Sequence, residues 1–372
     1  MDYETPQFFR VMQYASRADR DVVDMVSGNP DWDPPEGLRD GVRDYAELDA
    51  ADYQYPPSIG LSELRTEIAD RRGVDRDRVV VTNGAGEANH LAMVGGLEHF
   101  AGDEVLLTDP VYPYYAGRAN FLDADIGFVP VDEDGHLDPA RLRERASDGT
   151  AVIVLNTPNN PTGAVYGEEV MAEFVDIAER YDALLVSDEV YDHFVYGGGF
   201  TSTLQFDSNN VVATNSFSKT MAITGFRVGY AVFPDEDGPT GDLLDRARTR
   251  HMLTNVTGSR PAQYAVLRAL RTTPPDYYAD CRARLADRVD TFCTALDRAG
   301  AEYNRPEGGF YVMARFGDYP GSFEHVYELI DEAGVAGMPG EAFGESRADW
   351  FRFALVTPRV NEAADRLVAF FE

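Results

Sequence analysis

Short apolar runs recur through the first two thirds of the chain, separated by stretches in which apolar positions return every three or four residues. The runs at 79–82, 104–108, 151–155, 183–187, 211–215 and 229–233 are short and rich in Val, Ile and Leu. Continuous apolar character over so few residues predicts strands buried on both faces, as in a parallel sheet covered by helices. The periodic stretches at 86–99, 139–146 and 167–180 predict the covering helices. A longer helical pattern runs from about 261 to 301 and breaks at Thr273-Pro274-Pro275, where proline cannot continue a helix. Strands at 311–315 and 351–355 then predict a smaller α+β unit. The segment before about Ala46 has too little pattern for a core of its own and is expected to pack on that unit. The fold class expected is α/β, with a mostly parallel sheet sandwiched by helices in a large domain, 46–275. A smaller α+β domain is expected from both chain ends, 1–45 and 276–372.

Composition narrows the function classes. No apolar run approaches the roughly 20 residues that cross a bilayer. The start, Met1-Asp2-Tyr3-Glu4, is acidic and has no basic segment followed by an apolar one, so a cytoplasmic location is expected. Asp and Glu number 64 against 33 Lys and Arg, a formal net charge of -31. Such a surface repels nucleic acid and anionic membranes, and resembles that of proteins adapted to strong salt. The two cysteines, Cys281 and Cys293, are too few and too widely spaced for a zinc site, and no metal is expected. The chain has one lysine, Lys219. Arginine meets most needs for a cation, but its guanidinium stays protonated and cannot act as a nucleophilic amine. Chance survival in a lysine-poor chain would give the same count, so the neighbours of Lys219 decide the matter.

Those neighbours are Ser216-Phe217-Ser218-Lys219 and Gly225-Phe226-Arg227-Val228-Gly229, just after a predicted buried strand. Open α/β sheets bind ligands at such strand ends. Ser216, Ser218 and Arg227 are suited to a phosphate. Gly84-Ala85-Gly86 follows another strand and opens a helix, where free backbone N–H groups favour an anion. Further motifs are Asn156-Thr157-Pro158-Asn159-Asn160-Pro161-Thr162-Gly163, Ser187-Asp188-Glu189-Val190-Tyr191, Asp109-Pro110-Val111-Tyr112 and Trp350-Phe351-Arg352-Phe353. Each alone has a bland reading: a Pro/Gly turn, a helix-capping Asp, a core tyrosine, an edge-strand arginine paired with a surface acid.

Taken in order over nearly the whole length, the motifs resemble the class I/II aminotransferases, fold-type I enzymes that use pyridoxal 5'-phosphate. The resemblance implies that Lys219 links covalently to the cofactor and later carries the substrate proton. It implies that Asp188 keeps the pyridine nitrogen protonated, that Tyr191 and Asn160 bond the phenolic oxygen, and that Tyr112 stacks on the ring. Gly84, Ala85, Gly86, Ser216, Ser218 and Arg227 would form the phosphate cup. Arg352 would grip the substrate α-carboxylate with Gly28 and Asn160 beside it. A cis Asn160-Pro161 bond is implied as well. Tyr55, in Tyr55-Pro56-Pro57-Ser58-Ile59-Gly60, would reach the phosphate in a neighbouring subunit, which implies a homodimer. The partners implied are amino-acid and 2-oxo-acid substrates.

The pattern departs at one point. Some relatives that use aspartate hold its distal carboxylate with a lysine in the phosphate loop, and the matching residue here is Gly86. Arg248, Arg250 and Arg260 are candidates to replace it, and a dicarboxylate preference stays open. The same lysine, aspartate and phosphate cup also serve lyases and decarboxylases, so that alternative stands beside transamination. A DNA-binding regulator on this fold would need a basic segment that the chain lacks.

Overall fold

A seven-stranded sheet forms the centre of the larger unit in the computed structural model, which describes residues 7–372. The acidic start, Met1-Asp2-Tyr3-Glu4, lies outside the described residues. The strand order is Val79–Thr82, Gly229–Val232, Val211–Ser216, Leu184–Asp188, Thr150–Asn156, Glu104–Asp109, Asp125–Pro130. Neighbours run parallel except at Gly229–Val232, which is antiparallel to both strands beside it. Alternation explains why the central runs are apolar throughout. Val152, Val154, Leu184 and Val186 face one helical layer with Leu91 and Leu244. Ile153, Leu155 and Leu185 face the other with Met171 and Phe174. Each such side chain contributes about 1.5–3 kcal/mol by leaving water. The strand Asp125–Pro130 was not among those expected. It lies at the sheet edge with Phe128 44% exposed, so its pattern alternates and is broken by Gly127 and Pro130.

The smaller unit carries a four-stranded antiparallel sheet, in the order Met338–Pro339, Phe351–Ala354, Tyr311–Arg315, Glu302–Tyr303. Val23–Asp24 pairs in parallel with Val335–Ala336. Val11, Val23, Met25 and Val26 share one core with Phe292, Ile330, Val335 and Leu367, so the two chain ends fold together as expected. Glu36–Ala46, however, packs on the large-unit helix Arg260–Thr272 and not on the C-terminal unit. Gly37 and Gly41 bring the backbones close: a Cβ on Gly41 would lie 2.7 Å from the Ala265 Cα. We therefore propose a domain crossover between Val26 and Glu36 in place of one near residue 45. Cys281 and Cys293 are free and buried in the helix Pro275–Arg298. No helix among the described residues is long and apolar enough to cross a membrane.

Candidate active site

Parallel alignment brings chemically distinct residues to one sheet edge. Asn156, Asp188 and Ser216 each close a strand, with Asn156 in register with Asp188 and Ser216 with Gly229. In front of this edge lies a cavity of about 530 Å³. Every expected site residue lines it except Gly84, which sits behind Arg227, and Tyr55. Tyr55 is 80% exposed and lies apart from the cavity of its own chain.

The strand Val211–Ser216 runs into a single helical turn, Phe217–Thr220, which presents Lys219 to the cavity. Its Nζ donates to the Gly28 carbonyl at 2.6 Å. Burial pushes this amine below its ordinary 10.5; Tyr311 opposes the shift and the Arg352 and Arg227 cations add to it. Gly28 has to be small, because a Cβ there would lie 2.0 Å from the Tyr311 hydroxyl.

Asp188 is buried, and its Oδ2 accepts from Asn89 Nδ2 and from the Tyr115 hydroxyl, both at 2.6 Å. Burial pushes its carboxyl above the ordinary 3.8, and those two hydrogen bonds pull it back. Asn156 Nδ2 donates to the Asp188 carbonyl at 2.9 Å and fixes the strand end. The Tyr191 hydroxyl lies 3.1 Å from that of Tyr311, and burial raises its pKa well above 10. The Asn160-Pro161 bond is cis, and the Asn160 Oδ1 accepts from Arg352 Nη1 at 3.3 Å.

Arg352 is 1% exposed. Its guanidinium lies 4.3 Å from the Tyr311 ring centroid, 4.9 Å from Phe343 and 5.1 Å from Phe8. Nη2 donates to the Val26 carbonyl, while Nε has no partner among the described residues. Among the described residues no carboxylate pairs with it, and burial lowers its pKa. A buried cation enclosed by aromatic rings is suited to an incoming anion.

A second anion site lies at the start of the helix Ala85–His99. Gly84 has φ 78°, and a Cβ there would lie 2.4 Å from Arg227 Nη2. Arg227 donates to the Thr224 and Asn83 carbonyls at 2.9 and 3.2 Å, which holds it against the turn. A helix start of this kind favours an anion through the free amides of its first turn. Tyr112 caps the next helix, Pro113–Phe121, its ring 5.0 Å from Tyr114 and 5.5 Å from Tyr115.

The cavity also holds Asn89, Tyr115, Tyr311 and Arg118, none of which the sequence singled out. Asn89 left one trace, a polar residue on the buried face of an apolar helix. The others are tyrosines and an arginine of ordinary spacing. By contrast, Arg248 pairs with Glu236 and Asp245, Arg250 with Glu98 and Arg260 with Asp52, and none lines the cavity. They do not replace the missing loop lysine within this chain.

Residues 20–367 match the family described as aminotransferase class I and II. The chain belongs to that family. It is 33% identical to a probable aspartate aminotransferase of Methanocaldococcus jannaschii, covering 91% of this chain and 90% of the relative. It is 32% identical to a probable aspartate/prephenate aminotransferase of Aquifex aeolicus, covering 93% and 90%. The solved aspartate aminotransferase of Thermus thermophilus with maleate superposes with a TM-score of 0.90 at 28% identity, covering 98% of this chain and 97% of that one. The enzyme is a pyridoxal-phosphate-dependent aminotransferase of fold-type I.

Proposed function

We propose that this cavity transfers an amino group from an amino acid to a 2-oxo acid, with Lys219 as covalent anchor for the cofactor and carrier of the substrate proton. The carrying observation is that the chain's only lysine lies in a cavity that lowers its amine pKa and also holds Asp188 and the unpaired Arg352. The donor set fits pyridoxal phosphate: an amine for the aldehyde, a carboxylate for the ring nitrogen, and a guanidinium at a helix start for the phosphate. Bound there, the cofactor supplies an electron sink for the substrate Cα. Arg227, Ser216, Ser218 and the turn Gly84-Ala85-Gly86 would hold the phosphate. Asp188, oriented by Asn89 and Tyr115, would face the ring nitrogen. Tyr112 would cover the ring, and Tyr191 and Asn160 would hold the phenolic oxygen. Arg352 would clamp the α-carboxylate beside Gly28, leaving Lys219 Nζ to remove a proton and return it.

Lys219→Arg keeps the charge but removes the titratable amine, so turnover should vanish. Borohydride treatment of the wild-type holoenzyme should tag the peptide that contains Lys219. Retained turnover in the variant, or no tag, overturns the assignment.

We also infer a homodimer. Tyr55, Met252, Leu253 and Val256 are exposed at 80%, 46%, 76% and 52%. Their segments are tied together by Thr257 Oγ1 donating to the Pro57 carbonyl at 3.2 Å and Arg260 Nη1 to the Gln54 carbonyl at 3.3 Å. A second copy of the chain would cover this patch and bring Tyr55 to its neighbour's phosphate. Leu253→Asp should then yield monomers by light scattering; an unchanged mass for the variant, or a monomeric wild type, refutes it.

A further inference from the structure

We propose that Arg118 is the residue that holds the distal carboxylate of a dicarboxylic substrate, which makes this transaminase selective for acidic amino acids and their 2-oxo acids. The inference rests on the transamination proposed above and names the substrate class for the same site.

The charges of the cavity carry it. Three arginines line the wall: Arg118, Arg227 and Arg352. Arg227 lies against the Gly84 turn, where a phosphate is expected, and Arg352 sits among aromatic rings, where an α-carboxylate is expected. Those two anions leave Arg118 over. Among the described residues the only carboxylate on the wall is Asp188, which is occupied by Asn89 and Tyr115. Among the described residues Arg118 has no ion-pair partner; Nη1 donates to the Tyr114 carbonyl at 3.1 Å, one turn back in its own helix. Nη2 and Nε are not spent on that bond.

Its location is marked by Gly86 in the turn that opens the helix Ala85–His99. A Cβ on Gly86 would lie 3.0 Å from Arg118 Nη2, so the guanidinium fills the space where a side chain at position 86 would begin. The third cation of the cavity wall therefore comes from the helix Pro113–Phe121 and not from the phosphate loop. A planar fork there can bind a carboxylate through two hydrogen bonds. Arg248, Arg250 and Arg260 lie outside the cavity with acidic partners, so Arg118 is the only one of these arginines in a position to do so.

The test compares ligands of equal length with one and two carboxylates. Succinate and butyrate are titrated into holoenzyme of the wild type, Arg118→Gln and Arg118→Lys, with binding read by calorimetry. The kcat/KM for aspartate and alanine and the dissociation constant of pyridoxal phosphate are measured in parallel. The wild type should prefer succinate. Arg118→Gln should reduce the succinate-to-butyrate and aspartate-to-alanine ratios by roughly ten- to a hundredfold, the range for charge-assisted hydrogen bonds. Arg118→Lys should recover part of that loss. Equal loss for both ligands, no loss, a wild type without preference, or weakened cofactor binding in place of a changed ratio would each overturn the proposal; the last would assign Arg118 to the phosphate. Succinate binding requires no turnover, so a failed transamination assay and a failed selectivity test are distinguishable.

Discussion

Substituting Arg352 separates catalytic from structural roles with unusual clarity. The guanidinium is buried and, among the described residues, has hydrogen bonds only to the Val26 carbonyl and Asn160 Oδ1, with Nε unpartnered. Arg352→Gln would remove the fork proposed to bind the substrate carboxylate. Two charge-assisted hydrogen bonds, at about 1.5–3 kcal/mol each, are lost, and a glutamine amide restores about 1 kcal/mol of neutral bonding. The net loss is roughly 2–5 kcal/mol of binding, or about thirty- to several-thousandfold in kcat/KM. Stability should behave differently. Among the described residues no anion accompanies this buried cation, and burial already lowers its pKa. A neutral amide of similar reach removes that desolvation cost and can keep one of the two existing bonds. The thermal midpoint of the apo-enzyme should hold steady or rise. Steady-state kinetics with two amino donors and thermal unfolding of the cofactor-free protein supply both readouts. A loss in kcat/KM below about tenfold, or a midpoint lowered by more than about 4 °C, would refute the reasoning and make Arg352 a structural residue.

Other expectations follow from the same site. Because burial pushes the Lys219 amine below 10.5, the unfolded chain binds the extra proton between the folded value and 10.5; apo-enzyme stability should therefore rise with pH through that window. Lys219→Met should flatten the rise in urea-unfolding free energies, and an unchanged slope would count against a depressed amine. Tyr311→Phe deletes the hydroxyl 3.1 Å from that of Tyr191. It should shift the pH midpoint at which the bound cofactor's visible absorption changes, and an unmoved midpoint would show that the two hydroxyls act independently. With a net charge of -31, the thermal midpoint should climb between about 0.1 and 2 M KCl as repulsion is screened, since exposed ion pairs contribute only about 0–1 kcal/mol each. A flat or falling midpoint would mean those pairs outweigh the surplus acid.

Local pattern was sufficient for much of the fold. The central strands were legible because burial on both faces makes a run continuously apolar, as in Ala151 to Leu155. Asp125–Pro130 was not, because an edge strand with Gly127 and Pro130 carries the pattern of a loop. Glu36–Ala46 was assigned to the wrong neighbour, because glycines that permit close packing do not say against what.

At the proposed site, the sequence by itself singled out the candidates whose type the chemistry demands. Only a lysine supplies the amine at 219, and the motifs around Asp188, Asn160, Arg227 and Arg352 are contiguous enough to be read. Tertiary structure alone decided the supporting residues. Asn89, Tyr115 and Tyr311 matter through contacts with residues 99, 73 and 120 positions away. Arg118 draws its meaning from the missing side chain at Gly86, whose place its guanidinium takes, a contact between two helices that no local spacing records. A residue's chemistry is local, whereas its partner is set by how strands and helices pack, and so Lys219 and Asp188 stood out in the chain as candidates while Asn89 and Tyr115, which hold Asp188, were visible only in the fold.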